Sequence, residues 1–193
     1  MQRIAIFASG NGSNAENIAH AFRNSEVAEV KLVVYNKPDA GVAERARRLG
    51  IEAEYVSRAD FAADGGVSRL LTERGITVVV LAGFLQLVPQ YLLELLPGRI
   101  LNIHPSLLPK FGGKGMYGVH VHEAVIAAGE KESGITIHVI DGEYDRGRTL
   151  LQDRCPVLPD DTPHTLAERI HELEYARFPQ TIRDFCIDLN NEE

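Results

Sequence analysis

Asn102, His104 and Asp145 carry side chains suited to chemistry at a carbonyl: an amide donor, an imidazole that exchanges protons and a carboxylate that pairs with it. In Leu101-Asn102-Ile103-His104-Pro105 the amide and imidazole stand two residues apart, so a strand there turns both to one side. Asp145 follows in Asp141-Gly142-Glu143-Tyr144-Asp145-Arg146-Gly147, a turn-like stretch whose carboxylates can reach the same edge. Such a group suits transfer at a carbonyl, where an acid moves protons while the amide and a charged imidazole stabilise an oxyanion. Taken singly, Asn102 and His104 would read as ordinary buried polar residues. Their grouping with Asp145 is what favours chemistry.

A second group lies in Ser9-Gly10-Asn11-Gly12-Ser13-Asn14, between an apolar run and a helix-like stretch. A glycine-rich turn entering a helix offers backbone N–H groups and the positive end of the helix dipole to an anion. The spacing Gly10-x-Gly12-x-x-Ala15 approaches a dinucleotide fingerprint. That fingerprint also calls for a carboxylate at the end of the second strand, and the chain has Val33-Val34-Tyr35-Asn36 there, with Asp39 beyond it. The loop is therefore expected to hold a small phosphate in preference to a dinucleotide, with Ser13 and Asn14 adding hydroxyl and amide donors. The plainer alternative for the loop alone is a tight turn that needs glycine.

The elements that must position these groups alternate along the chain. Apolar runs at residues 3–8, 30–35, 52–56, 78–82, 100–103 and 135–140 read as strands. Residues 14–22 and 40–49 repeat apolar positions at helical spacing, with Gly50 as a cap for the second. Residues 61–74 form a weaker helix, because Gly65-Gly66 costs about 2 kcal/mol relative to alanine in a helix interior; a start after Gly66 is the alternative. Residues 105–118, with two prolines and four glycines, read as a long loop, functional or mobile. Asp161-Thr162-Pro163 opens a long C-terminal helix, expected to bend or break near Pro179. The order predicts an α/β fold: one open, doubly wound, mostly parallel Rossmann-like sheet over residues 1–193, with ligands at the carboxyl ends of its strands.

Composition narrows the function. A formal charge of −7 argues against broad binding to nucleic acid or an anionic bilayer, so an anionic ligand must be met by local donors. The longest apolar stretch, residues 77–84, is far short of the roughly 20 residues that span a bilayer. Only Cys155 and Cys186 occur, and no signal-like segment opens the chain, which points to a reduced cytoplasmic compartment. His104, His120 and His122 do not make a zinc site, since no cysteine joins them.

The combination of Gly10-Asn11-Gly12-Ser13-Asn14, Leu81-Ala82-Gly83-Phe84, Asn102-Ile103-His104-Pro105-Ser106-Leu107-Leu108-Pro109 and Asp145 resembles the folate-dependent formyltransferases. Within them it is most similar to the phosphoribosylglycinamide formyltransferases of purine biosynthesis, also called glycinamide ribonucleotide transformylases. The resemblance implies transfer of a formyl group from 10-formyltetrahydrofolate, as co-substrate, to the amine of a phosphoribosyl glycinamide, with no metal. It implies small-molecule partners only and a monomer or weak homodimer. By position, Asn102, His104 and Asp145 would be catalytic, Gly12, Ser13 and Asn14 would hold the phosphate, and Glu174 the ribose hydroxyls. Leu85, Gln86, Leu87 and Val88, with Asn102 and a turn at Asp141, would hold the folate. Glu174 by itself would read as a solvated helix carboxylate, and residues 85–88 as the end of a buried strand. Three positions depart from the family pattern. Arg146 stands where a glycine is usual, the stretch 111–118 is longer, and a folate-tail arginine falls near Asp64, leaving Arg58 or Arg69 to supply it. Another formyl folate enzyme, including a hydrolase, and a non-catalytic nucleotide-binding module are the alternatives.

Overall fold

The computed structural model describes residues 1–192. In chain order it runs β1 (Gln2–Ala8), α1 (Ser13–Ala21), β2 (Ala28–Tyr35), α2 (Val42–Leu49) and β3 (Glu52–Tyr55). There follow α3 (Arg58–Ala62), α4 (Val67–Glu73), β4 (Val78–Leu81), α5 (Gln90–Leu95) and β5 (Ile100–His104). The chain then forms α6 (Val119–Ala127), β6 (Glu132–Ile140), β7 (Gly147–Pro156) and α7 (Pro163–Glu192). All seven strands join one sheet in the order β3-β2-β1-β4-β5-β6-β7. The first five are parallel, and β6 and β7 continue the sheet antiparallel. The order reverses between β1 and β4, where an open α/β sheet parts its loops and leaves a crevice.

The period-two alternation of β1 divides the core. Ile4, Ile6 and Ala8 face a cluster that includes Ile18 of α1, Ala46 of α2, Val121 and Val125 of α6, and Leu166, Ile170 and Phe178 of α7. Ala5 and Phe7 face the other side, with Phe61 of α3, Leu71 of α4 and Leu92 of α5. The central strands are apolar on both faces because helices cover both. β7 is one edge, opposite β3, and its exposed Arg148 and Arg154 discourage pairing with another chain.

The stretch 61–74 divides into two helices. Gly66 caps α4 in the left-handed conformation, and Ser57 caps α3 by accepting from the Asp60 N–H at 3.1 Å. Three elements lie where the sequence pattern predicts none. In α5 only six residues follow Pro89, too few to show a period, while α6 is apolar on most sides. β7 is largely exposed and lacks the apolar run of a buried strand.

Of the bend or break expected near Pro179, the break does not occur, for α7 continues through the proline. A proline removes the N–H that would bond the carbonyl four residues earlier. That carbonyl belongs to Tyr175, and Asn17 of α1 donates its side-chain amide to it at 3.0 Å. Phe178 and Ile182 are fully buried on either side of the proline and hold both halves against the sheet. Asn17→Ala is expected to lower stability by about 1 kcal/mol. In a Pro179→Ala background, where the helix supplies its own donor, most of that loss should vanish; urea denaturation of the four chains measures both.

Candidate active site

A cavity of about 370 Å³ opens at the carboxyl ends of β1, β4 and β5. One end is walled by Gly12, Ser13, Asn14 and Glu174, the other by Leu85, Gln86, Leu87 and Val88. Asn102, His104 and Asp145 line the same cavity, so it brings together every expected site residue except Asp141. The Asp141 carboxylate instead accepts from the Glu143 N–H at 3.2 Å and shapes the turn.

Gly12 stands at a φ of 80°, where a side chain is strained, and a Cβ would run into Val42 at the start of α2. No side chain caps α1, which leaves its first N–H groups facing the loop. Arg45 of α2 reaches over to the Asn11 carbonyl at 2.8 Å and also engages the Asn11 amide and the Glu16 carboxylate. The turn is thus fixed from α2 before any ligand arrives.

Glu174 is buried and sits where α7 passes that loop. One of its oxygens accepts from the Asn14 amide at 2.8 Å and from His171 Nδ1 at 2.9 Å. The hydrogen bond to Glu174 raises the His171 pKa, partial burial opposes it, and the carboxylate charge adds to the rise. His122 stands nearby with its Nδ1 buried and unpartnered, and burial lowers its pKa against the pull of Glu174. His122 and His171 line the cavity and were not singled out as site residues from sequence. The spacing of His171 one turn before Glu174 was the available signal.

At the other end, Ser9 accepts the Leu85 N–H at 2.9 Å and ties the end of β1 to the segment after β4. Gln86 accepts from Asn36 at 3.2 Å and donates to the Arg58 carbonyl at 3.0 Å. Leu85 and Leu87 keep exposed apolar side chains at the cavity mouth, while Val88 is buried. Arg58, Asp64 and Arg69 do not line the cavity.

Between the two ends, His104 is 4% exposed and engaged at both ring nitrogens. Nδ1 faces Asp145 Oδ1 at 3.2 Å, and Nε2 faces the Phe111 carbonyl at 2.8 Å. The second Asp145 oxygen accepts the Gly113 N–H at 2.8 Å. Burial works to raise the Asp145 pKa, but the hydrogen bonds from His104 and Gly113 and the charge of His104 outweigh it, and the carboxyl lies below its usual range. Asp145 itself has a φ of 54°, and Gly147 is required two residues on because a Cβ there would strike the Val139 carbonyl. Arg146 is not among the positive-φ residues described, so the turn has no need of glycine at that position. Asn102 donates to His138 Nε2 across the antiparallel β5–β6 pair at 3.1 Å. Among the described residues no cluster of three or more His, Cys, Asp or Glu is placed to hold a metal ion, and no helix is long and apolar enough to cross a membrane.

Residues 2–182 match the formyl transferase family. The chain is 41% identical over 96% of its length to a protein of Arabidopsis thaliana named phosphoribosylglycinamide formyltransferase, chloroplastic, and spans 65% of that relative, just under two thirds. Among solved structures it is similar to glycinamide ribonucleotide transformylase 1 from Symbiobacterium toebii, with a TM-score of 0.89, 35% identity and coverage of 97% of this chain and 89% of that one. Phosphoribosylglycinamide formyltransferase from Streptococcus pneumoniae gives a TM-score of 0.85 at 39% identity, covering 96% of this chain and 99% of the other.

The His171–Glu174 pair predicts a titration with a definite sign. Because the folded pKa of His171 is raised, the pair stabilises the fold fully below the unfolded value of about 6.5 and loses that contribution as pH rises through the folded value. In Glu174→Gln the His171 ring resonances should titrate at lower pH than in the unmodified chain, as NMR would show.

Proposed function

This chain belongs to the formyl transferase family, and from that premise we propose that it transfers the formyl group of 10-formyltetrahydrofolate to the amine of N1-(5-phospho-D-ribosyl)glycinamide. The reading fits a step of purine synthesis with two small-molecule substrates and 10-formyltetrahydrofolate as the carbon donor. The observation that carries it is the single cavity with a phosphate-type loop at one end, an apolar-lipped slot at the other and Asn102, His104 and Asp145 between them.

In this reading Gly12, Ser13 and Asn14 hold the phosphate at the start of α1, and Glu174 accepts hydrogen bonds from the ribose hydroxyls. The folate heterocycle enters between residues 85–88 and the turn that ends in Asp145. The substrate amine attacks the formyl carbon, and the carbonyl oxygen becomes an oxyanion. Asn102 and His104 are the donors beside it. The carbon–N10 bond then breaks, N10 gains a proton and the new amide nitrogen loses one. Asp145 holds His104 at Nδ1 and accepts protons through water on the side of the attacking amine. Presenting Nε2–H to the oxyanion requires the Phe111 carbonyl to release it, so the stretch 111–118 must shift when substrates are bound.

His104→Ala is expected to lower turnover by about 10²–10⁴-fold, with binding of the phosphorylated substrate changed little. Absorbance with 10-formyl-5,8-dideazafolate follows the reaction directly. Deformylation that runs equally fast without glycinamide ribonucleotide would mark a hydrolase and end the transferase reading.

A further inference from the structure

His138 takes no part in the reaction as described, yet it is 1% exposed and stands directly opposite Asn102 in the β5–β6 register. Both of its ring nitrogens have partners. Nδ1 lies 3.0 Å from the Arg146 carbonyl, and Nε2 lies 3.1 Å from the Asn102 amide nitrogen. A backbone carbonyl can only accept, so it requires a hydrogen on Nδ1. Burial lowers the pKa of the ring, while the Arg146 carbonyl and the charges of Asp145 and Asp141 work to raise it and His104 to lower it. The net result is a neutral imidazole with its one hydrogen on Nδ1 and a bare lone pair on Nε2.

That lone pair decides how Asn102 sits. An amide turned the other way would set its oxygen against Nε2, acceptor against acceptor, inside the protein. The nitrogen must therefore face His138, which uses one of its two hydrogens. The second is left for the cavity that Asn102 lines. We infer that His138 is a positioning residue for formyl transfer: through its hydrogen bond to the Arg146 carbonyl it fixes the Asn102 amide with its nitrogen inward and keeps one N–H for the oxyanion. This rests on the proposed transfer reaction.

The arrangement also joins the three reacting side chains. Arg146 is the neighbour of Asp145 in the chain, and Asp145 holds His104, which is two residues from Asn102 on β5. From Asn102 the contacts return through His138 to Arg146. A displacement of the turn would therefore reach both the carboxylate–imidazole pair and the amide. Because Arg146 contributes its carbonyl and not its side chain, a residue other than glycine serves there equally well.

Nitrogen-15 NMR of the unmodified chain near neutral pH reads the tautomer without any assay. A protonated Nδ1 and a bare Nε2 on His138 are expected; the opposite tautomer or a doubly protonated ring overturns the role. Kinetics test its consequence. His138→Asn keeps a donor near Arg146 but removes the acceptor for Asn102, and should lower kcat by at least about tenfold and by no more than the about 10²–10³-fold expected when one oxyanion donor is lost. KM for the phosphoribosyl substrate should change less than about twofold, because the phosphate end is untouched. His138→Gln places an amide oxygen near the former Nε2 and should restore most of kcat. In an Asn102→Ala background the His138→Asn change should cost less than about twofold, since residues that act as a unit are not additive. Losses that simply multiply, or a His138→Gln chain as slow as His138→Asn, overturn the inference while leaving the transfer reaction in place. An unmodified chain that transfers no formyl group overturns both.

Discussion

Asp145 holds the site together from an unfavourable backbone position. A non-glycine residue in the left-handed region costs up to about 1–2 kcal/mol, less for an aspartate than for most residues, and Asp145 is one of four such residues described. The surroundings fix it there. One oxygen is bound by His104 from the sheet and the other by the Gly113 N–H from the long loop, so the carboxylate bridges the two beside their direct contact between His104 and the Phe111 carbonyl. Gly112 packs against its Cβ, and Gly147 lets the following residues pass the Val139 carbonyl. Strain of this kind persists where neighbouring contacts over-determine a conformation, which is common where a side chain must be aimed.

The loop that meets Asp145 is anchored in its first half and glycine-rich in its second. Ser106 donates to the Lys110 carbonyl, and Thr136 of β6 donates to the Ser106 carbonyl while accepting from the Leu108 N–H and from Gln152 of β7. These bonds brace residues 106–110 on the antiparallel strands. Beyond them Gly113, Gly115 and Gly118 all adopt positive φ, and nothing crowds the place a Cβ would take. Phe111 stands where the two halves join, and its carbonyl is the group that covers His104 Nε2. A fixed stem and a permissive tip therefore meet at the atom that controls access to the imidazole.

Local features of the chain were legible from sequence, and features made by distant pairing were not. The apolar runs of β1, β2 and β4 and the glycine turn before α1 need only neighbouring residues to be recognised. The shared side of Asn102 and His104 follows from the period of one strand. His138, by contrast, becomes a partner of Asn102 only because β6 runs antiparallel to β5 in a particular register. Nothing local to Ile137-His138-Val139 reveals that register. Pro179 shows the same limit: its cost is local, while the donor that offsets it comes from Asn17, on another helix. Arg146 is the converse case. Sequence marked it as a departure, but the backbone at that position asks nothing that arginine cannot provide.

In the proposed function the opening loop receives a phosphate on a chain of net negative charge. With a formal charge of −7, long-range attraction does not favour an anion, so binding must rest on donors already in place. The uncapped start of α1 supplies them, and Arg45 spends its charge on Glu16 and Asn11 instead of facing the cavity. Its role is thus to stiffen the turn, which lowers the ordering cost of binding. Asn36, at the place where a dinucleotide fold sets a carboxylate, instead donates to Gln86 and so supports, from outside the cavity, a wall of the folate slot in the proposed function. In the proposed function the strand ends that a dinucleotide fold would turn to a second nucleotide serve the folate instead, and the loop is left with one phosphate.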